Sequence, residues 1–137
     1  MKRIQIMTAT LLALLAGTAC AATQTWTVSF AGPGGHSNGD YGNVNAVHAG
    51  ARAVMAIGKV LPDAVIAGMT GGATVNAIAS DCTFTVTASG DDKTLAAAKA
   101  AVEKAVAEAA AAENAFRGVK QGDTVRGAPA QIRVSVK

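Results

Sequence analysis

Three stretches of the chain alternate apolar and polar residues with a period of two. Thr25 to Phe30 places Trp26, Val28 and Phe30 on one side and hydroxyl residues on the other. Cys82 to Ala88 repeats the pattern with Cys82, Phe84 and Val86, and Gln131 to Lys137 repeats it with Ile132, Val134 and Val136. Such alternation marks strands with one buried face. A fourth, less regular strand is expected over Val65 to Met69. Together they predict a sheet covered on one side only.

Two helices supply the cover. From Asn43 the residues Val44, Val47, Ala51, Val54, Gly58 and Leu61 step by three and four, with Asn43 as the N-cap and Pro62 as the stop. The second helix follows Asp91-Asp92, whose charges suit a helix N-terminus. It runs through Leu95, Val102, Val106 and Ala109 towards Phe116 and ends near Gly118. Its alanine content gives high propensity and a slim flank that can lie close on a sheet. The pairs Lys99/Glu103 and Lys104/Glu108 mark its solvated side. The order β-α-β-β-α-β predicts a ferredoxin-like α+β sandwich, an antiparallel four-stranded sheet with two helices on one face. Residues 118 to 129 read as a loop or a short hairpin.

The N-terminus changes the domain count. Met1-Lys2-Arg3, the apolar run Leu11 to Ala16 and Ala19-Cys20-Ala21 have the order of a secretory leader, and the run is too short to span a bilayer. Residues 1–21 are therefore expected to be a signal peptide and 22–137 a single domain, exported to a periplasm or medium. Cys20 also fits lipid anchoring, against which stands the absence of an aliphatic residue three places before it. Lys2 and Arg3 carry two of the three net positive charges, so the mature domain is left at about +1, and no electrostatic case for nucleic acid remains. With Cys20 removed, Cys82 stands alone and reads as a buried small hydrophobe.

Candidate chemistry gathers in two glycine-rich turns. Gly32-Pro33-Gly34-Gly35-His36-Ser37 closes the first strand, and Gly71-Gly72-Ala73-Thr74-Val75-Asn76 closes the irregular one. His36 can donate a hydrogen bond to a carboxylate or an oxyanion from a glycine-rich nest, or be a plain turn histidine. Asn76 can present its amide to a ligand or satisfy its own turn. His48 shares a helix face with Arg52, Met55 and Lys59, which suits an exposed surface or a partner contact. The carboxylates Asp40, Asp63, Asp81, Asp91 and Asp92 are scattered through turns and caps. No zinc-ligand spacing, nucleophile elbow or phosphate loop is present, so no metal site and no catalytic set are expected in this chain alone.

The run Trp26 to Ser37, then Asp40-Tyr41-Gly42-Asn43-Val44-Asn45-Ala46, then Gly71 to Ile78, resembles the dimerisation (lid) domain of a dizinc metallopeptidase family. That family comprises aminoacylases, carboxypeptidase G and acetylornithine/succinyl-diaminopimelate deacylases (clan MH). The resemblance implies a homodimer formed through the first helix and an edge strand. It implies that His36 reaches a partner's active site and that Asn76 helps hold a substrate carboxylate. The family's arginine near the end of the third strand is replaced here by Thr87-Ala88-Ser89-Gly90. The metal-binding catalytic domain has no counterpart in these residues, so zinc enters only if a partner supplies it.

The reading that follows is an exported, free-standing, non-catalytic homodimerisation or binding module. Small residues Ala49, Ala53, Ala56 and Gly58 are the expected close-approach face of the dimer. One alternative is an accessory subunit lending His36 in trans to a separately encoded zinc peptidase or amidohydrolase. Another is a decayed remnant of a full-length metallopeptidase.

Overall fold

The computed structural model describes residues 21–137; the expected leader, apart from Ala21, lies outside them. The strands are β1 (Ala22–Ala31), β2 (Gly35–His36), β3 (Val65–Gly71), β4 (Ala77–Ile78), β5 (Asp81–Gly90), β6 (Thr124–Val125), β7 (Ala128–Pro129) and β8 (Arg133–Val136). The helices are α1 (Ala46–Val60) and α2 (Asp92–Phe116). The main sheet has the order β3-β5-β1-β8, and each neighbouring pair is antiparallel. Both helices cover one face, as the period-two stripes require. Trp26, Val28, Phe30, Cys82, Phe84 and Val86 point into the core, with Phe30 and Phe84 stacked at 6.3 Å. The β-α-β-β-α-β order is present, with two small ladders added. The pair β2/β4 joins the two glycine-rich turns, and β6/β7 forms a hairpin within 118–129.

The first helix departs from its expected phase. Its core face is Ala46, Ala49, Gly50, Ala53 and Ile57, while Val47 and Val54 sit half-buried at its flank. Depth of packing decides this. A Cβ built on Gly50 would meet Cys82 Sγ at 2.4 Å, so the helix lies too close to β5 for a valine there. Ala49 and Ala53 are consequently buried inside the protomer and unavailable to a partner. The flank takes over that expectation. At ~100° per residue, Val47, Ala51, Val54 and Gly58 share one side of the helix. Val47 Cγ2 lies within contact range of Gly71 in β3, so this side faces the free sheet edge.

The N-cap is Asn45, two residues later than expected. Its Oδ1 accepts from Val47 and His48 N–H at 3.0 and 3.1 Å. Asn43 instead donates from Nδ2 to Gly34 O at 2.8 Å. Asp91 caps α2 by accepting from Thr94 N–H at 2.7 Å; the Thr94 side chain first, and this N–H second, hold its carboxyl below the usual range. At the other end Gly118, with φ 68°, lets Val119 N–H reach Asn114 O and Gly118 N–H reach Ala115 O, a Schellman stop. Phe116 ends the helix exposed, with the Arg52 and Arg117 guanidinium groups against its ring at 5.5 and 5.1 Å.

Glu113 was not foreseen from the sequence. It is fully buried, accepts Asn45 N–H at 3.1 Å and Arg117 Nε–H at 3.2 Å, and has Arg52 Nε at 3.5 Å. A buried carboxylate is tolerated only with such partners, and this one ties the start of α1 to the end of α2.

The contrast between two glycines of α1 tests the close approach. Gly50→Ala must push Cys82 aside and is expected to cost about 1–3 kcal/mol. Gly58 has no atom within 4 Å of a built Cβ, so Gly58→Ala should stabilise by about 0.5–1 kcal/mol. Urea unfolding measures both, and equal effects would contradict the packing.

Candidate functional site

Two loops meet at the end of the sheet where β1 finishes and β5 begins. Gly34, with φ 67°, and Gly35, with φ 142°, turn the chain out of β1 into β2. A Cβ on Gly34 would strike Ser80, and one on Gly35 would strike Asp40, so both positions require glycine on two counts. Gly71 runs against the Asp81 carbonyl, where a Cβ would sit at 2.4 Å. Gly72, with φ 80°, then turns β3 into the Asn76 loop. The β2/β4 ladder pairs Gly35 with Ile78 and His36 with Ala77, and Ser37 N–H donates to Asn76 O at 2.9 Å. The two turns singled out in the sequence thus form one site.

His36 and Asn76 are both exposed, and Nε2 of the ring lies 3.1 Å from the Asn76 amide. Asn38 N–H donates to Nδ1 at 3.2 Å. A neutral ring therefore carries its proton on Nε2, which demands an acceptor opposite it. Asn76 Nδ2 faces Nε2, and the Thr74 hydroxyl donates to Asn76 Oδ1 at 2.8 Å; exchanging the amide's oxygen and nitrogen, which have nearly the same shape, sets the oxygen against Nε2–H and the NH2 against the Thr74 hydroxyl. The imidazole is held at both nitrogens, with its one N–H directed at a neutral amide that a ligand carbonyl or carboxylate can displace.

Two residues the sequence left among scattered turn carboxylates and loops complete the surroundings. Asp40 Oδ2 accepts His36 N–H at 2.7 Å, and its two oxygens lie 2.7 and 2.9 Å from Arg126 Nη2. The His36 peptide first, and the Arg126 guanidinium second, hold the Asp40 carboxyl below its ordinary value of 3.8. His48 lies elsewhere, on the outer side of α1, where its Nδ1 is 3.4 Å from Arg117 Nη2 and 4.0 Å from the Glu113 carboxylate. Cys82 is buried beneath Gly50, and desolvation pushes its thiol up. Among the described residues, no group of three or more His, Cys, Asp or Glu is placed to hold a metal ion. Nor is any described helix long and apolar enough to cross a membrane. A cleft of about 770 Å³ is at the opposite end of the strands between Val60–Val65, Thr87–Ser89 and the first turns of α2. It holds neither histidine nor asparagine and is separate from the site.

Residues 23–114 match the peptidase dimerisation domain. The chain belongs to that family. Solved structures agree in fold. An aminobenzoyl-glutamate utilization protein from Klebsiella pneumoniae superposes with a TM-score of 0.66 at 20% identity, over 85% of this chain and 28% of that one. A hydantoinase/carbamoylase-family amidase from Burkholderia multivorans gives 0.63 at 19% identity, over 85% and 27%. A tripeptidase from Staphylococcus aureus gives 0.60 at 14% identity, over 85% and 29%. A comparison with curated proteins finds no match. The peptidase dimerisation domain chain thus spans less than a third of the length of these larger proteins, and within its residues the match is to the dimerisation domain alone.

The hydrogen-bond logic makes the ring's proton a test. Nitrogen-15 spectra of the imidazoles near pH 8 should show His36 Nε2 protonated and Nδ1 as the bare acceptor. The opposite tautomer would contradict the arrangement. The Asp40 tie has a defined acid limit. A depressed carboxyl stabilises above its unfolded value and loses that contribution as pH falls through the folded one. The Arg126 side-chain signals should therefore follow an Asp40 transition whose midpoint lies below the ordinary value of 3.8. A midpoint above that value would refute the tie.

Proposed function

We propose that this chain is an exported, non-catalytic homodimerisation and binding module, with the His36–Asn76 pair as its ligand contact. The single observation that carries the dimer is the adjacency of two unpartnered surfaces. The edge of β3 is free in the order β3-β5-β1-β8, and the flank of α1 bearing Val47, Ala51, Val54 and Gly58 stands beside it. Val65 in β3 and Met55 in α1 are 61% and 66% exposed. An open strand edge beside a slim helix flank favours isologous pairing, in which a second copy extends the sheet and the helices meet across the two-fold. The Gly68 bulge, with φ 67° between Ala67 and Thr70, limits that pairing to the straight part of the strand.

A second reading rests on the exposure of the His36–Asn76 pair at the loop end. As an accessory subunit the chain would present His36 to a separately encoded zinc peptidase or amidohydrolase, which would supply both metal and catalytic residues. Mixing with such a partner would raise hydrolysis, and His36→Ala would remove the gain.

Light scattering on the full chain tests the leading reading. A mass of two chains is expected at tens of micromolar. Ala51→Arg, an exposed position on the α1 flank, should shift the chain to monomer without changing its circular dichroism. A wild-type monomer throughout would remove the proposal.

A further inference from the structure

One face of α1 serves neither the core nor the His36–Asn76 site. At ~100° per residue, His48, Arg52, Met55 and Lys59 share the side of the helix opposite Ala46, Ala53 and Ile57, and all four are exposed. The far end of α2 joins them. The Arg52 and Arg117 guanidinium groups lie 5.5 and 5.1 Å from the Phe116 ring centre, and Arg117 Nη2 lies 3.4 Å from His48 Nδ1. Met55 is 66% exposed and Phe116 68%. Two large apolar side chains therefore stand in solvent among three cations and a histidine.

The charge here is local, because the domain from Ala22 onward is nearly neutral overall. Glu113, the carboxylate among these groups, is fully buried and takes the Nε atoms of Arg52 and Arg117 at 3.5 and 3.2 Å. It holds both guanidinium groups in place and leaves the terminal nitrogens of Arg52 without a partner among the described residues. Lys59 has no ion-pair partner among them either. Beside this cluster the outer side of α2 is smooth. Ala97, Ala100, Ala107, Ala111 and Ala115 are exposed there, and Lys104 pairs with Glu108 at 3.9 Å. Apolar tips that rise among cations from a smooth layer suit a soft anionic surface, whereas a protein partner must supply a pocket for each tip.

We propose that the outer surface of the α1–α2 layer is a membrane-contact face for an anionic bilayer. Arg52, Lys59 and Arg117 meet the phosphate headgroups, and Met55 and Phe116 enter the boundary below them. The face is complete in one chain. Isologous pairing through β3 would set two such faces on the same side of the joined sheet and strengthen the contact.

The test is flotation with vesicles of phosphatidylcholine alone and of equal parts phosphatidylcholine and phosphatidylglycerol, at low salt. Every strand and helix and the whole core lie within 22–137, so the chain from Ala22 is used, which keeps the basic and apolar start of the sequence out of the measurement. It should float with the anionic vesicles and not with the neutral ones. Lys59→Glu should lower the partition coefficient at least about tenfold, as expected for reversing one charge near the surface. Met55→Ser combined with Phe116→Ser should lower it by a similar factor, with the circular dichroism of both variants unchanged. Arg133→Glu makes the same change in net charge, but its strand position opposite Ala31 puts it on the uncovered face of the sheet, so binding should be retained. Equal losses from Lys59→Glu and Arg133→Glu would reduce the effect to overall charge and overturn the face. Unchanged binding of the double serine variant would also overturn it. No flotation with anionic vesicles would overturn the membrane contact and leave the surface to an acidic protein partner.

Discussion

Everything at the loop end of this fold depends on how deeply α1 lies on the sheet. Gly50 sits over Cys82 so closely that a single added carbon would collide with the sulfur. Alanines on either side keep the helix at that depth along Ala46, Ala49 and Ala53. The depth fixes where α1 begins, and so where Asn45 caps it and where Asn43 can reach the Gly34 carbonyl. Glu113 then locks the same point from α2, accepting the Asn45 N–H inside a fully buried pocket of charge. Small residues and one buried carboxylate thus do the work that larger aliphatic side chains do in thicker helix–sheet sandwiches. The loop carrying His36 grows out of this anchored corner.

The strands were legible because a sheet with one dry face stamps a period of two on the sequence, and Trp26, Val28, Phe30, Cys82, Phe84 and Val86 carry it without interruption. The helices were legible as helices, but the phase of α1 was not. Reading Val47 and Val54 as the core assumes that larger apolar residues go deeper, and the close approach at Gly50 reverses that order. Phe116, at the expected end of the second helix, is 68% exposed and held by two guanidinium groups. Glu113 carried no signal, since a glutamate in an alanine-rich helix looks like any solvated position. The meeting of His36 with Asn76 could be anticipated from two glycine-rich turns that resemble one family's. Arg126 could not, because its partner Asp40 is 86 residues away and the pairing exists only after the hairpin folds back.

These observations join into one functional picture. The family match places the chain among peptidase dimerisation domains, whose solved relatives are parts of much larger proteins. In this chain the free β3 edge and the α1 flank are on one side of the molecule. The histidine–asparagine pair is at the end of the strands, with its ring oriented at both nitrogens. The hairpin beyond the matched residues sets Arg126 against Asp40 in the His36 loop. The proposed self-association and the proposed ligand contact therefore fall on different surfaces, and one need not disturb the other.

The most direct measurement is an isotope-filtered nuclear Overhauser experiment on a mixture of labelled and unlabelled chains, which detects only contacts between copies. The account predicts contacts between the β3 edge of one copy and that of the other around Val65 to Ala67, accompanied by contacts between the two α1 flanks at Ala51 and Gly58. Intermolecular contacts confined to β8, or none at concentrations where the chain is folded, would contradict it.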